Sequence, residues 1–310
     1  MRSTFGRRSF LGALGTLSLG SAPRVAAAPS PRPGPRAWKV RLSCNLYSFN
    51  EPLLQKRTMT LEEALDFCAE LGFDAVDPTG YYFPGYPQAP PDAYVYAFKN
   101  RALRLGLDVS GTGVRNDFTL ADPAKRAAEV ELVKRWVDVA AKLGAPMVRV
   151  FAGRGVPEGH TEAEVTGWVV EHIRECVAYG AARGVAIVLQ HHDDLLKTAA
   201  QTLAVLERID SEWFGLNVDV GSLRTTDDPY SEIARLAPHA YTWQLKEQVY
   251  RKGAAEDVDV AKIVRILRDV GYRGYVPLET LGDGDPRPKL RKFLAQVRAA
   301  LAAGESQASG

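Results

Sequence analysis

Apolar positions along the chain follow two alternating rhythms, stretches with helical spacing and short unbroken runs rich in β-branched residues. The junction between them repeats: an amphipathic helix, a glycine, then the apolar run. It occurs at Ala69 to Val76, Leu103 to Val109, Lys142 to Val150, Ala182 to Leu189 and Val270 to Tyr272. A glycine suits that junction because the residue after a helix often takes a left-handed φ, which costs glycine little. The first four junction glycines lie 34, 38 and 40 residues apart, and the last gap of 87 accommodates three units of 29.

Further runs at Val40 to Leu46, Trp213 to Asp219 and Ala240 to Lys246 bring the expected strands to eight. The spacing predicts helices at about Leu61 to Leu71, Asp92 to Leu105, Pro123 to Leu143, Glu162 to Arg183, Thr198 to Ile209, Tyr230 to Leu236, Val260 to Val270 and Lys289 to Ala302. Alternation of strand and helix implies parallel pairing through crossovers, and roughly 265 residues for eight units match the ~250 of a closed barrel. The fold class expected is α/β, a single (β/α)8 TIM barrel over residues 38–302. An open doubly wound sheet would normally show a Gly-rich turn after its first strand, and Tyr47 to Pro52 contains no glycine. Pro277 falls inside the expected eighth strand and removes a ladder donor, so a bulge or a strand edge is expected there.

Composition adds two constraints. Of the 310 residues 46% are hydrophobic and 25% charged, which excludes a disordered or fibrous chain. Cys44, Cys68 and Cys176 form an odd set without C-x-x-C spacing, so buried thiols are expected rather than a disulfide framework or a zinc knuckle.

The formal net charge of +2 is unevenly held, because residues 1–36 carry six Arg and no acid. Arg7, Arg8, Ser9, Phe10 and Leu11, a short apolar run, and small residues up to Ala28 have the three-part layout of an export signal of the twin-arginine type. The expected organisation is a signal over residues 1–28, a Pro-rich linker over 29–37, the barrel, and a disordered tail over 303–310. Loss of the first 28 residues would remove four Arg and no acid, turning +2 into −2. The run from Leu11 to Leu19 is too short to span a bilayer, so no stable membrane insertion is expected. The location implied is periplasmic or extracellular, with the twin-arginine export machinery as a partner. A homo-oligomer is left open.

Chemistry in such barrels lies at the C-terminal ends of the strands. The polar residues there are Asn45 and Tyr47 on strand one, Asp77 on two, Ser110 and Thr112 on three, Arg149 on four, Gln190 and His192 on five, Asn217 and Asp219 on six, Gln244 and Lys246 on seven, and Glu279 on eight. A packed apolar core explains none of them. Gln190, Asp219, Gln244 and Glu279 place one oxygen-bearing side chain at matching depth on four successive strands. Such a set suits one divalent ion, with Mn2+, Mg2+ or Co2+ favoured over Zn2+.

Through Leu216 to Gly221, Trp243 to Glu247 and Pro277 to Gly282, the chain resembles the xylose isomerase-like TIM barrel superfamily, the sugar phosphate isomerase/epimerase and endonuclease IV-like group, over about Trp38 to Ala302. The family's metal is usually held by Glu, Asp, His and Glu from strands five to eight. By position Asp219 and Glu279 match, Gln244 replaces the His and Gln190 replaces the first Glu. The resemblance implies a site of two carboxylates and two amides, formally neutral with a divalent ion.

Epimerases of the family use two Glu as acid/base groups on opposite faces of the sugar carbon, a part Gln190 cannot play. A one-base reaction remains, with Glu279 as the base and His192 or Lys246 as acids. The function expected is a divalent-metal-dependent isomerase/epimerase-like enzyme that moves a proton beside the carbonyl of a non-phosphorylated carbohydrate or keto-sugar. The alternatives are a metal-dependent lyase, hydratase or dehydratase on an oxidised sugar or cyclic polyol acid, and a non-catalytic sugar-binding barrel. Endonuclease IV uses several metals and many histidines; this chain has five His and no basic excess once the leader is set aside, so no nucleic-acid partner is expected.

The other readings carry alternatives. Asn45, Tyr47, Arg115 and Arg149 are candidate substrate contacts, Arg149 equally a partner for carboxylates. Lys246 is either an acid or a salt bridge to Glu279 or Asp219. His192 can donate a proton or orient substrate, His191 is expected to be structural, and Asp193 and Asp194 to cap a helix. The loops Arg115 to Phe118 and Pro157 to His160 are candidates to close the pocket. Tyr81, Tyr82, Phe83 and Tyr86 either stack on sugar or pack their own loop.

Overall fold

The computed structural model describes residues 38–192 and 195–307. The expected signal and linker, Asp193 and Asp194 lie outside them. The barrel strands are β1 (Arg41–Asn45), β2 (Ala75–Asp77), β3 (Asp108–Val109), β4 (Thr112–Gly113), β5 (Met147–Phe151), β6 (Ala186–Gln190), β7 (Phe214–Asp219), β8 (Ala240–Lys246) and, after a hairpin of β9 (Gln248–Arg251) and β10 (Ala254–Asp257), β11 (Tyr275–Glu279). Nine strands form one sheet in the order β3-β2-β1-β11-β8-β7-β6-β5-β4.

The third expected strand is split, which makes nine strands of eight. β3 pairs with β2 while β4 pairs with β5, and the two pieces are separated by Ser110 and Gly111. The Ser110 side chain holds the Ser43 hydroxyl at 2.7 Å and Thr112 Oγ1 donates to the Pro78 carbonyl at 2.8 Å. These residues close the wall, so their expected place at the site reduces to a structural one.

Eight α-helices follow: α1 (Leu61–Glu70), α2 (Asp92–Arg104), α3 (Pro123–Leu143), α4 (Glu162–Ala181), α5 (Ala199–Glu207), α6 (Pro229–Leu236), α7 (Val260–Asp269) and α8 (Pro286–Gln307). Seven agree with the predicted ranges within two residues. α8 starts earlier and runs five residues beyond Ala302, because nothing in Ala302 to Gln307 breaks a helix except Gly304. The five junction glycines all adopt positive φ, from 66° to 80°, as the repeated phrase requires.

Three details sharpen or alter the expectations. Pro277 makes no bulge: it pairs in register with Ser43, and the ladder to β8 starts only at Leu278, so the lost donor is tolerated. The register shift lies instead between Leu216 and Asn217. Thr198 caps α5 in a reciprocal box with Gln201; the capping expected of Asp193 and Asp194 lies outside the described residues. The hairpin β9–β10 was not expected; its turn residues Lys252 and Gly253 both have φ > 0, as a tight hairpin demands.

Buried Cys44, Cys68 and Cys176 are free thiols. Met147, Ala186 and Val188, backed by Trp213, form a small apolar cluster. By strand alternation it lies beneath Arg149 and Gln190, so the polar layer above rests on a packed plug. No helix among the described residues is long and apolar enough to cross a membrane.

Candidate active site

β6, β7 and β11 end on Gln190, Asp219 and Glu279, β8 carries Gln244 two residues before its last residue Lys246, and the structure brings all four together. Gln190 Nε2 donates to Asp219 Oδ2 at 2.7 Å, and Gln244 Nε2 donates to Glu279 Oε2. Asn217 Nδ2 donates to Gln244 Oε1 at 3.0 Å, fixing that amide from the side. Exposure ranges from 0% for Asp219 to 5% for Gln244.

Lys246 stands between the two acids. Its Nζ is 2.7 Å from Asp219 Oδ2 and 3.5 Å from Glu279 Oε1. Both salt bridges weighed for it are therefore present. The close approach needs Gly221, where a Cβ would come within 2.7 Å of Lys246 Cδ. Asp219 also accepts from Ser222 Oγ at 2.7 Å and from the Gly221 N–H at 3.0 Å.

These contacts separate the two carboxylates chemically. Burial pushes Asp219 up, but Lys246 and the hydrogen bonds outweigh it and hold the acid at about 2. Burial likewise raises Glu279, helped by the charge of Asp219, and Lys246 only partly offsets it, so Glu279 stays above the usual carboxylate range. Burial works against the Lys246 ammonium, yet the two acids raise its pKa. One permanent anion, one tunable carboxyl and one resident cation result.

His191 is wholly buried, and its Nε2 accepts the Asp219 backbone N–H at 3.1 Å. Burial lowers its pKa to about 4, so it is neutral and braces the strand, in the structural part expected of it. His192 faces the cavity, its ring edge-on to Phe151 at 5.7 Å.

Arg149 is not a free clamp. Its Nη1 pairs with Asp77, its Nη2 donates to Thr79 Oγ1 at 3.2 Å, and both partners of the ion pair are buried. Asn45 uses Oδ1 to accept the Tyr47 N–H at 2.9 Å, while its buried Nδ2 finds no partner among the described residues.

The site opens into a cavity of about 430 Å³ whose lining includes Asn45, Tyr47, Arg115, Arg149, Gln190, His192, Gln244, Lys246 and Glu279. That size falls within the ~300–1,000 Å³ of small-molecule pockets. Sequence reasoning missed Thr79, Phe151, Arg154, Arg224 and Leu281, which also line it. Apart from Phe151, the last residue of β5, they sit two to five residues past strand ends, where no periodicity marks which side chain turns inward.

Of the aromatic loop, Tyr81 reaches the cavity, whereas Phe83 and Tyr86 pack on Trp136 and Tyr82 donates to Asn50. Of the two candidate closing loops, Arg115 and Asn116 contribute. His160 packs on Trp168 instead, at 4.8 Å.

The donor set can be tested against the expected divalent ion. Two carboxylates and two amides are oxygen donors of the right kind, and half a turn of each amide exchanges NH2 for oxygen. Among the described residues no group of three or more His, Cys, Asp or Glu is placed to hold a metal, since two of the four positions are Gln. The set fits such an ion in kind, and an ion held there would share Asp219 and Glu279 with the Lys246 ammonium.

A parallel barrel with a polar layer at its strand ends is the fold of many unrelated enzymes, and similarity to known proteins narrows it. Residues 65–300 match the Xylose isomerase-like TIM barrel family, and the chain belongs to that family. It is 25% identical over 257 residues to a Mus musculus protein named as a hydroxypyruvate isomerase, covering 77% of this chain and 90% of that one. It is 24% identical over 239 residues to the ketose 3-epimerase of Arthrobacter globiformis, covering 73% and 79%.

Among solved structures, L-ribulose 3-epimerase superposes with a TM-score of 0.70 at 19% identity over 87% of this chain and 97% of that one. A Mycobacterium smegmatis protein of the same barrel type, in complex with magnesium, gives 0.65 at 20% over 86% and 98%. These likenesses show the fold. At the family level the relatives are sugar isomerases and epimerases.

Proposed function

We propose that this chain is a sugar isomerase of the epimerase-like kind, moving a proton beside the carbonyl of a keto-sugar with Glu279 as its base. The observation that carries the reading is Glu279 itself: a carboxyl at the cavity floor, 1% exposed, raised by burial toward the range of a working base, with an ammonium 3.5 Å away. Glu279 takes the proton from the carbon next to the carbonyl. Lys246 and the side-chain N–H groups of Gln190 and Gln244 supply donors for negative charge growing on oxygen.

Gln190, at the position where the family resemblance implies a second Glu, is an amide and cannot return a proton to the other face. Glu279 therefore returns the proton on the same face but to the former carbonyl carbon, while the hydroxyl proton of the neighbouring carbon passes to the former carbonyl oxygen, so that the carbonyl shifts between neighbouring carbons. A divalent ion, held by Asp219, Glu279 and the oxygens of Gln190 and Gln244, would polarise the carbonyl.

The single base also supports a second reading, elimination of a β-hydroxyl on an oxidised sugar, with His192 or Lys246 as the proton donor. The export signal expected over residues 1–28, which lie outside the described residues, would favour a location across the membrane and a substrate without phosphate.

Candidate ketoses and 3-keto-sugars incubated with the full chain in D2O, with Mn2+, Mg2+ or Co2+, test both. Isomerisation should place deuterium at the carbon next to the carbonyl, and Glu279→Gln should lose roughly 10²–10⁴-fold in rate. Efficient C3 epimerisation that survives Glu279→Gln would sink the proposal.

A further inference from the structure

We infer that Asn217 is a positioning residue for Glu279 that acts through Gln244: it sets which end of the Gln244 amide faces the carboxyl. The inference rests on reading Glu279 as the base and adds what holds that base in its working orientation.

Asn217 does not meet the substrate. It is 0% exposed and lies outside the cavity lining. Strand alternation sends its side chain to the same face as Asp219, one layer deeper. From there Nδ2 donates to Gln244 Oε1 at 3.0 Å, and Gln244 Nε2 donates to Glu279 Oε2. β7, β8 and β11 are thus linked side chain to side chain in one direction, and the chain of donors ends on the carboxyl.

The direction matters because a carboxamide has two unlike ends. With its oxygen held by Asn217, Gln244 turns its N–H groups to Glu279. Turned the other way, its oxygen would set two acceptors against each other. The bond to Oε2 leaves Oε1, 3.5 Å from Lys246 Nζ, as the oxygen that receives the proton.

The two acids differ in how much depends on one donor. Asp219 is held directly by Lys246, Ser222, the Gly221 N–H and Gln190. Glu279 has the Gln244 amide and the longer contact to Lys246, so its plane follows Gln244, and Gln244 follows Asn217.

Asn217 is itself held at its donor end, since its buried Oδ1 has no hydrogen-bond partner among the described residues. A plain donor would suffice for the arrangement seen. An amide does more: if Gln244 gave its oxygen to a divalent ion, its N–H groups would turn to Asn217, whose oxygen accepts them after the same half turn. Asparagine therefore serves either arrangement of Gln244.

A double-substitution cycle on the full chain tests this, with D-fructose and L-ribulose as probes and deuterium uptake from D2O as the rate. Asn217→Leu should lower kcat about tenfold, the worth of one amide hydrogen bond, and leave KM within about twofold. Gln244→Met should lose at least as much. Because Asn217 acts through Gln244, adding Asn217→Leu to Gln244→Met should cost less than about a further twofold. Losses that multiply, as a merely structural role requires, or an unchanged kcat in Asn217→Leu overturn the inference. Asn217→Ser, whose hydroxyl stops short of Gln244, carries the same expectations if Asn217→Leu does not fold.

Amide NMR of the 15N-labelled chain reads the first link without substrate. The side-chain NH2 signal that disappears in Gln244→Met should move in Asn217→Leu, and an unmoved signal overturns the inference whatever the activity. If neither sugar exchanges, that signal decides. A kcat untouched by Glu279→Gln, with the Gln244 signal moved, defeats the assignment of the base alone. A kcat lost in Glu279→Gln, with multiplying losses in the cycle, defeats this inference alone.

Discussion

Asp219 and Glu279 show how two carboxyls of similar chemistry acquire different roles from their neighbours. Lys246, Ser222 and the Gly221 N–H converge on Asp219, whereas Glu279 receives the Gln244 amide and a longer ammonium contact. Their positions were legible in the sequence, because inward residues alternate along a strand and both acids are the last residues of their strands. The buried pair of Asp77 and Arg149 was not, since two residues 72 apart meet only through the order of strands around the barrel.

His191 gives a prediction at this scale. Its Nε2 accepts the Asp219 N–H, so protonation would set two donors against each other. Its pKa is about 4 in the folded chain and about 6.5 in an unfolded one. Between those values the unfolded state binds the extra proton, so the stabilising contribution is complete above about pH 6.5 and is lost as pH falls toward 4. The loss is of the order of 3 kcal/mol. Urea unfolding at a series of pH values should show this slope flattened in His191→Gln; identical slopes would refute it.

Helix starts follow a common local logic. Thr60, Thr161 and Thr198 each cap a helix in a reciprocal box with Glu63, Glu164 and Gln201, the S/T-x-x-E/Q pattern readable in the sequence. The helix boundaries were accordingly legible within two residues in seven cases of eight. The split third strand was not, because Asp108 to Gly113 carries an unbroken extended pattern and the change of partner is imposed by barrel closure.

The α5 box concerns the site, since α5 follows the segment that leaves Gln190. Thr198→Ala should cost about 1 kcal/mol of unfolding free energy, and Thr198→Ser should recover most of it. Chemical denaturation measures both. A cost below about 0.3 kcal/mol for Thr198→Ala would mean that tertiary packing alone fixes the start of α5.

Across the described barrel, an apolar plug underlies a floor with two acids and one ammonium. This arrangement governs how the chain meets a divalent ion. An ion at Asp219 and Glu279 competes with the Lys246 ammonium for the same oxygens, and the two amides add no charge to attract it. Affinity should therefore be modest and limited by Lys246, so Lys246→Met should bind Mn2+ or Co2+ more tightly.

Thermal unfolding reads this without any substrate. At an ion concentration of about 100 times its dissociation constant the folded state gains about 2.7 kcal/mol, which for a barrel of this size raises the melting temperature by roughly 5–10 °C. Titrating each ion into the unaltered protein and Lys246→Met should show the variant reaching that rise at the lower concentration. If the variant needs more ion than the unaltered chain, Lys246 assists the ion instead of competing with it. If neither responds to Mn2+, Mg2+ or Co2+, the ammonium is the only cation the two acids accept, and stabilisation of growing negative charge falls to Lys246 and the amide donors.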